Sequence, residues 1–244
     1  SFSDIPGQTG LGSSSSFAVG LVNALHPLRG EMVTKHTLAS EAAHIEVDLL
    51  KRAMGKQDHF AAAYGNLNVF SFNPDETVTV EPVLYKPEIK KSIESNLLLF
   101  YLKSKRDASN ILKIQQQETQ NKLNYLRELK ELVFPFRNIF SNWSGNDFNK
   151  FGELLDKGWM IKREITDKIS SDEIDNYYHK AKESGAIGGK LLGAGGGGFL
   201  LLYVENKHKQ SVIDALSDLF CLPIGFDDGG TRITYYDQPV EFSK

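Results

Sequence analysis

The sequence predicts an α+β protein, in which a mainly helical first part is followed by an antiparallel sheet covered by helices on one side. Three observations support this prediction. Short apolar runs at residues 97–102 and 199–204 are typical of buried strands. Residues 33–54 carry apolar side chains every three or four positions, as an amphipathic helix does. Two further strand-like segments, at 68–72 and 78–83, flank a turn rich in Asn, Pro and Asp, which indicates a hairpin.

Composition and charge describe an ordinary globular protein of one large or two small domains. The 244 residues are 41% hydrophobic and 24% charged, and the net charge of −3 gives no bulk attraction to nucleic acid or to an anionic membrane. No apolar run approaches the roughly 20 residues that span a bilayer. The single cysteine, Cys221, excludes an internal disulfide and favours a reducing environment. We therefore expect a cytoplasmic protein without nucleic-acid or membrane partners.

The first glycine-rich motif lies almost at the start of the chain, where residues 6–16 read PGQTGLGSSSS and lead into an apolar helix predicted at 17–25. Serine is a favoured N-cap, and a helix start leaves backbone N–H groups unpaired at the positive end of its dipole. Gly10 and Gly12 allow a close approach of the backbone to a ligand. The motif thus predicts an anion site, most naturally for phosphate, and its alternative is a Gly/Ser linker before an ordinary capped helix.

Further elements follow in chain order. The first helix is expected to stop near Pro27, and residues 55–60 are expected to form a turn. On the helix predicted at 33–54, the core-facing residues are expected to be Leu38, Ala42, Ile45, Leu49 and Ala53. The polar segment 86–91 marks the expected boundary between a domain at 1–90 and a domain at 91–244.

The second domain is predicted to alternate helices and strands. Its expected elements are a strand at 97–102, a helical region at 109–140 broken near Pro135, helices at 147–165 and 171–184, a strand at 199–204, a helix at 209–219, and strands at 222–226 and 232–236.

The second glycine-rich motif, GKLLGAGGGGF at residues 189–199, contains a literal GxGxxG from Gly193 to Gly198. A dinucleotide-binding fingerprint needs a helix directly after its glycines, whereas residues 200–204 are typical of a buried strand. Neither glycine motif ends in the Gly-Lys-Ser/Thr of a Walker A loop. Taken alone, the tract is also compatible with a glycine-rich bulge or hairpin.

Together the two motifs resemble a known family. PxxxGLGSSSS is similar to the central phosphate-binding motif of the GHMP small-molecule kinases, named for galactokinase, homoserine kinase, mevalonate kinase and phosphomevalonate kinase. KLLGAGGGGF is similar to the third motif of that family, and the two stand in the family's order about 180 residues apart. The resemblance covers nearly the whole chain. It implies the remainder of an N-terminal, ATP-binding α+β lobe followed by a ferredoxin-like C-terminal lobe.

The family's first motif would precede the loop and is absent from this sequence, which also starts without methionine. We therefore expect the sequence to be a piece of a longer protein, and this piece alone is expected to bind poorly or to be inactive.

The resemblance implies ATP and Mg²⁺ as cofactors and assigns site residues. Asp58 matches the aspartate that orients or deprotonates the acceptor hydroxyl, and Ser14 and Glu46 match the magnesium ligands. The phosphate-binding residues implied are Gly10, Leu11, Gly12, Ser13, Ser14, Ser15, Gly193, Ala194, Gly195, Gly196 and Gly197. For each acid the alternative is a solvated charge, and Asp48 is a competing acid on the same helix.

Weaker candidates are basic and aromatic residues. Lys103, Lys105 and Arg106 are candidates for a second substrate phosphate, or a solvated turn. His59 and Tyr64 are candidates for sugar contacts, or packing groups. Lys190 either approaches phosphates or flanks the strand.

Within the family, IPGQTGLGSSSSF, AAHIEVDLL, GKQDHFAAAYG and GGKLLGAGGGGFLLLYV are together most similar to the heptose 7-phosphate kinase branch. This implies transfer of the ATP γ-phosphate to the anomeric hydroxyl of a sugar phosphate, D-glycero-D-manno-heptose 7-phosphate, for nucleotide-heptose and surface polysaccharide synthesis. The alternatives are another GHMP kinase acting on fucose, galactose or a mevalonate-type substrate, and a non-catalytic regulator that binds a sugar or nucleotide. The joint presence of Ser14, Glu46 and Asp58 argues against the regulator.

Overall fold

The computed structural model describes Gly7 and residues 9–103, 108–118, 122–141 and 148–237. In these ranges the helices are α1 (Ser13–Leu28), α2 (Lys35–Ala43), α3 (Gln57–Tyr64), α4 (Pro87–Ser95), α5 (Ala108–Glu118), α6 (Leu123–Glu131), α7 (Val133–Ser141), α8 (Phe148–Arg163), α9 (Asp172–Glu183) and α10 (Lys209–Ala215). The strands are β1 (Asn68–Phe72), β2 (Val78–Pro82), β3 (Leu97–Tyr101), β4 (Ala186–Leu191), β5 (Phe199–Val204) and β6 (Phe220–Leu222).

The first part of the chain is a helical layer with a hairpin. Helices α1, α2 and α3 pack together over an apolar cluster that includes Val19, Leu38, Phe60 and Val78. Strands β1 and β2 pair antiparallel, as the hairpin pattern predicts. This layer carries the first glycine loop at its start and Asp58 in the first turn of α3.

Helix α1 begins earlier and ends later than its sequence predicts. It starts at Ser13, its N-cap is Gly12 with φ of +67°, and no side chain caps it. The expected serine N-cap is therefore wrong, since all four serines lie inside the helix. The helix also passes Pro27 and ends at Leu28. The segment expected as a turn at 55–60 instead enters α3 at Gln57.

A π-helical turn, His44–Leu49, replaces the second half of the single helix predicted at 33–54. A π turn adds a residue to the helical repeat, so the side chains that follow rotate relative to the 3.6-residue pattern. Leu38 and Ala42 are buried as predicted, but Ile45 and Leu49 are exposed and Glu46 is buried in their place. The turn therefore brings a carboxylate into the interior.

The second part of the chain is built on a four-stranded antiparallel sheet in the order β4-β5-β3-β6. With helices between β3 and β4 and between β5 and β6, this is the expected ferredoxin-like arrangement. Its main core includes Trp159, Ile174 and Leu202 from α8, α9 and β5. The strands predicted at 97–102 and 199–204 are confirmed as β3 and β5.

Other predicted elements of this part need correction. The sequence analysis missed β4, where two glycines weaken the strand pattern. Residues 232–236, predicted as a strand, form none, and β6 ends at Leu222. The helical region breaks before Val133 rather than at Pro135, because proline is tolerated in the first turn of α7. Helix α9 is confirmed, with Ser171 Oγ accepting the Ile174 N–H at 3.4 Å.

The segment after β6, residues 224–231, returns to the first part of the chain; we call it the C-terminal strap. The Asn66 N–H donates to the Asp227 carbonyl at 2.5 Å, and the Thr231 N–H donates to the Ala62 carbonyl at 2.9 Å. The strap thus joins the end of α3 to the second part of the chain. Among the described helices, none has the length and apolar composition needed to cross a membrane.

Candidate active site

The two glycine motifs lie backbone to backbone. A Cβ atom at Gly193 would lie 2.6 Å from Gly10 Cα, and one at Gly198 would lie 2.2 Å from the Thr9 carbonyl oxygen. These distances leave no room for a side chain, and both glycines have positive φ angles. The fold therefore brings together two segments that the sequence separates by about 180 residues.

The second motif is the connection of the hairpin formed by β4 and β5. The Leu192 N–H donates to the Phe199 carbonyl at 2.8 Å, which closes the hairpin. The Gly196 N–H donates to the Ile169 carbonyl at 2.9 Å. The local reading as a glycine-rich hairpin is correct, and the strand after the tract excludes a dinucleotide-binding turn.

The first turn of α1 presents backbone donors beside this junction. The Ser16 N–H donates to the Gly12 carbonyl at 2.9 Å, so the N–H groups of Ser13, Ser14 and Ser15 precede the first intrahelical bond. No acidic side chain lies in this turn. These donors lie at the positive end of a 16-residue helix, an arrangement that can hold a phosphate.

The serine side chains of this turn differ in exposure. Ser14, the expected magnesium ligand, is exposed. Ser15 is fully buried, and its Oγ has no hydrogen-bond partner in the described part of the chain. A buried hydroxyl without a partner is uncommon and costs free energy, so Ser15 retains an unused hydrogen-bonding capacity at the expected phosphate site.

Asp58 lies against the first glycine loop. A Cβ atom at Gly12 would lie 3.3 Å from Asp58 Oδ2. Protein around the carboxylate displaces water and raises the pKa of Asp58, an effect that Glu46 strengthens and that His59 and Lys162 oppose. Asp58 remains accessible from one side. A raised pKa suits a group that accepts a proton near neutral pH.

Glu46 is held from two sides. Its Oε2 lies 2.9 Å from His59 Nε2, and its Oε1 accepts a hydrogen bond from Arg52 Nη1 at 2.5 Å. Glu46 is 3% exposed and His59 is fully buried, so the pair satisfies a carboxylate that would be costly to bury alone. His59, a candidate for sugar contact, instead lies beside Glu46. Asp48, the competing acid, is exposed and paired with His44.

Ser14 and Glu46 fit a magnesium ion in their donor chemistry, because Mg²⁺ prefers hard oxygen ligands. Each Glu46 oxygen accepts one hydrogen bond and keeps a second lone pair. Within the described ranges, no group of three or more His, Cys, Asp or Glu residues gathers around a metal position. The remaining ligands would be water and phosphate oxygens, as is usual for this ion.

Sequence reasoning missed Lys162, near the end of α8. Its Nζ donates to the Gly193 carbonyl at 2.6 Å, which places the ammonium group at the glycine tract. Burial, together with the nearby Lys190, lowers the pKa of Lys162 to about 8, and the charge of Asp58 acts in the opposite direction. No local motif marks this residue, because its position depends on how α8 packs against β4.

Other candidates lie in less telling places. The ring of Tyr64 packs against Phe60 and Phe70. Lys103 Nζ lies 4.8 Å from the centre of the Phe220 ring, on β6. Lys105 and Arg106 fall outside the described residues.

Comparison with known proteins follows this geometry. Residues 2–66 match the GHMP kinases N terminal domain, and residues 136–220 match the GHMP kinases C terminal domain. The chain is 29% identical over 217 residues to a D-glycero-alpha-D-manno-heptose 7-phosphate kinase of Campylobacter jejuni, covering 88% of this chain and 63% of that protein. It is 26% identical over 240 residues to a galactokinase of Pyrococcus furiosus, covering 87% of this chain and 66% of that protein.

Solved structures show the same fold. The crystal structure of a D-glycero-D-manno-heptose 1-phosphate kinase from Bacteroides thetaiotaomicron superposes with a TM-score of 0.74 at 26% identity. The superposition covers 97% of this chain and 67% of that one. The chain thus spans less than two thirds of the length of the two curated relatives described above.

Proposed function

Because the chain belongs to the GHMP kinase family, we propose that the protein is an ATP-dependent sugar kinase that phosphorylates the anomeric hydroxyl of a heptose 7-phosphate. The observation that carries the proposal is the position of Asp58, whose carboxylate lies against the Gly12 loop beside the N-terminus of α1. This places a proton acceptor next to a phosphate site. The choice of sugar is supported by the relatives from Campylobacter jejuni and Bacteroides thetaiotaomicron, both named as heptose phosphate kinases.

In this proposal the backbone N–H groups of Ser13, Ser14 and Ser15 hold phosphate oxygens of ATP, and the tract from Gly193 to Gly197 closes over them. Donors fixed by a helix need no rearrangement when charge moves during the reaction, which is the main contribution proteins make to phosphoryl transfer. The close contact of Gly10 with Gly193 keeps side chains out of this space.

Asp58 accepts the proton of the anomeric hydroxyl while the hydroxyl oxygen attacks the γ-phosphorus. The new oxygen–phosphorus bond forms as the bond from the γ-phosphorus to the bridging oxygen breaks, and ADP leaves with that electron pair. The products are a heptose 1,7-bisphosphate, ADP and a proton, which Asp58 returns to solvent through its accessible side.

Ser14 and Glu46 would hold Mg²⁺, which neutralises charge on the phosphate oxygens when bound. His59 and Arg52 fix the orientation of the Glu46 carboxylate through one hydrogen bond each.

The test measures ADP formation by the full protein with ATP and Mg²⁺ against heptose 7-phosphate, mannose, fucose, galactose and mevalonate. We expect turnover with heptose 7-phosphate. Asp58→Asn is expected to lower kcat by about 10²-fold or more while ATP still binds. Asp48→Asn, which removes an exposed carboxylate on the π-helical turn, is the matched control and should keep full activity.

Turnover with a different sugar would retain the kinase and reject the heptose assignment. Binding of ATP without turnover on any of the five acceptors would contradict the proposal and favour the regulator.

A further inference from the structure

Two lysines beside the glycine tract carry positive charge without a carboxylate in contact. Lys162 donates to the carbonyl of Gly193, and Lys190 makes no hydrogen bond or ion pair with any described residue. Both side chains are half-buried. A half-buried ammonium group that lacks a counter-ion is unfavourable, so this arrangement needs a further partner.

The fold places the two ammonium groups near each other. Alternate residues of a strand share a face, so Lys190 lies on the same face of β4 as Gly188. That face meets α8, because a Cβ atom at Gly188 would lie 2.0 Å from the Gly152 carbonyl oxygen. Lys162 lies at the end of α8, and Lys190 lowers its pKa, as expected for like charges at short range.

The acidic side chains of the neighbouring helices are already engaged. Asp156 contacts Tyr178 and Lys182, and Asp175 accepts a hydrogen bond from Arg163. Asp58 is the carboxylate whose charge acts on Lys162, but the two form no contact ion pair. Two lysines and one aspartate leave one positive charge uncompensated at this place, which is what an anionic ligand would neutralise.

We propose that Lys162 and Lys190 form a subsite for one phosphoryl group, located between the glycine tract and Asp58. This rests on the proposed function, because Asp58 then lies between the acceptor hydroxyl and the phosphoryl group. Two sources have this chemistry: the phosphoryl group in transfer from ATP, and the phosphate that the sugar already carries. Neither residue belongs to the phosphate loop of the first motif, so the subsite would bind charge that this loop does not reach.

The direct test uses inorganic phosphate and the full protein, with Lys162→Met and Lys190→Met. Methionine keeps the length of the side chain and removes the charge. Isothermal titration should show phosphate affinity falling about tenfold or more in each variant, as expected for loss of a charge-assisted hydrogen bond. Lys207→Ala removes an exposed lysine paired with Glu205 and is the control, which should bind phosphate as the wild type does.

Thermal unfolding separates binding from folding. A charge held without a partner destabilises the unliganded protein, so both methionine variants should unfold at the wild-type temperature or above it without phosphate. The increase in unfolding temperature that phosphate gives the wild type should be smaller in the variants. A merely structural role would instead lower the unfolding temperature without phosphate and leave the phosphate-dependent increase unchanged.

Kinetics then distinguish the two sources. If the subsite holds the phosphate of the sugar, the variants raise KM for heptose 7-phosphate and lose the preference over heptose, while KM for ATP is unchanged. If it holds the group in transfer, kcat falls and both KM values are kept. Unchanged phosphate affinity together with unchanged kinetics in both variants would overturn the proposal. Because phosphate binding is measured without turnover, failure of the proposed reaction leaves this test intact.

Discussion

The carboxylate of Asp58 lies in van der Waals contact with the Cα position of Gly12, so that a single added methyl group at residue 12 would meet Asp58 Oδ2 at 3.3 Å. This contact joins the start of α3 to the start of α1. It couples the position of the proposed base to the conformation of the phosphate loop, because neither can move without the other.

Gly12→Ala should therefore damage catalysis more than stability. The φ of +67° makes alanine unfavourable by about 1 kcal/mol, and the new methyl group displaces the Asp58 carboxylate. A displacement of under 1 Å at a reacting group can cost about 10²-fold in kcat. Steady-state kinetics and thermal unfolding measure the two effects. Gly20→Ala, in the same helix with open space around it, is the control and should retain kcat with a small gain in stability.

The pKa of Asp58 should lie above its ordinary value of 3.8, and Lys162→Met should raise it further, since the Lys162 charge lowers it. Titration of the carboxyl carbons by NMR measures both values, with Asp58→Asn identifying the signal. A pKa at or below 3.8, or one that Lys162→Met lowers, would show that the groups do not interact in this way.

The same pKa predicts an effect on stability. A carboxyl group with a raised pKa in the folded state disfavours folding once it is ionised, and this cost is fully present above the folded pKa and disappears below the unfolded one. At neutral pH, Asp58→Asn should therefore raise the unfolding temperature while lowering kcat. A lower unfolding temperature in this variant would contradict the prediction.

His59→Ala should destabilise the protein strongly. It leaves the buried Glu46 carboxylate with Arg52 alone, and breaking a buried pair costs about 3 kcal/mol. Chemical denaturation measures the loss. His44→Ala removes the same kind of side chain from an exposed pair with Asp48, and it should leave the free energy of unfolding almost unchanged.

Gly230→Ala should weaken the C-terminal strap. Its φ is +61°, and a Cβ atom there would lie 2.4 Å from the Ala63 carbonyl oxygen. Gly30 has φ of +73° but open space, so Gly30→Ala isolates the cost of the backbone angle. We expect a larger loss of unfolding free energy in Gly230→Ala, by about 1–2 kcal/mol. Equal losses in the two variants would mean that the strap does not bind tightly.

Much of the fold follows from local patterns in the sequence. The hairpin at β1 and β2, the apolar strands β3 and β5, and the Ser171-capped helix α9 each have a periodicity or a turn signal that acts within a few residues. The proposed boundary between domains at 90 and 91 remains a prediction. Strand β4 escaped prediction because Gly188 and Gly189 carry no side-chain pattern, and its partner β5 supplies the pairing.

The sequence by itself determined which residues can approach a phosphate, since glycine at positions 10, 12 and 193 and a helix start at Ser13 are local properties of the chain. Only the tertiary structure decided what surrounds them. The π-helical turn rotated Glu46 inward to meet His59, and the packing of α8 on β4 carried Lys162 to Gly193. These contacts join residues far apart in the chain, so their geometry depends on long-range packing, which no local pattern encodes.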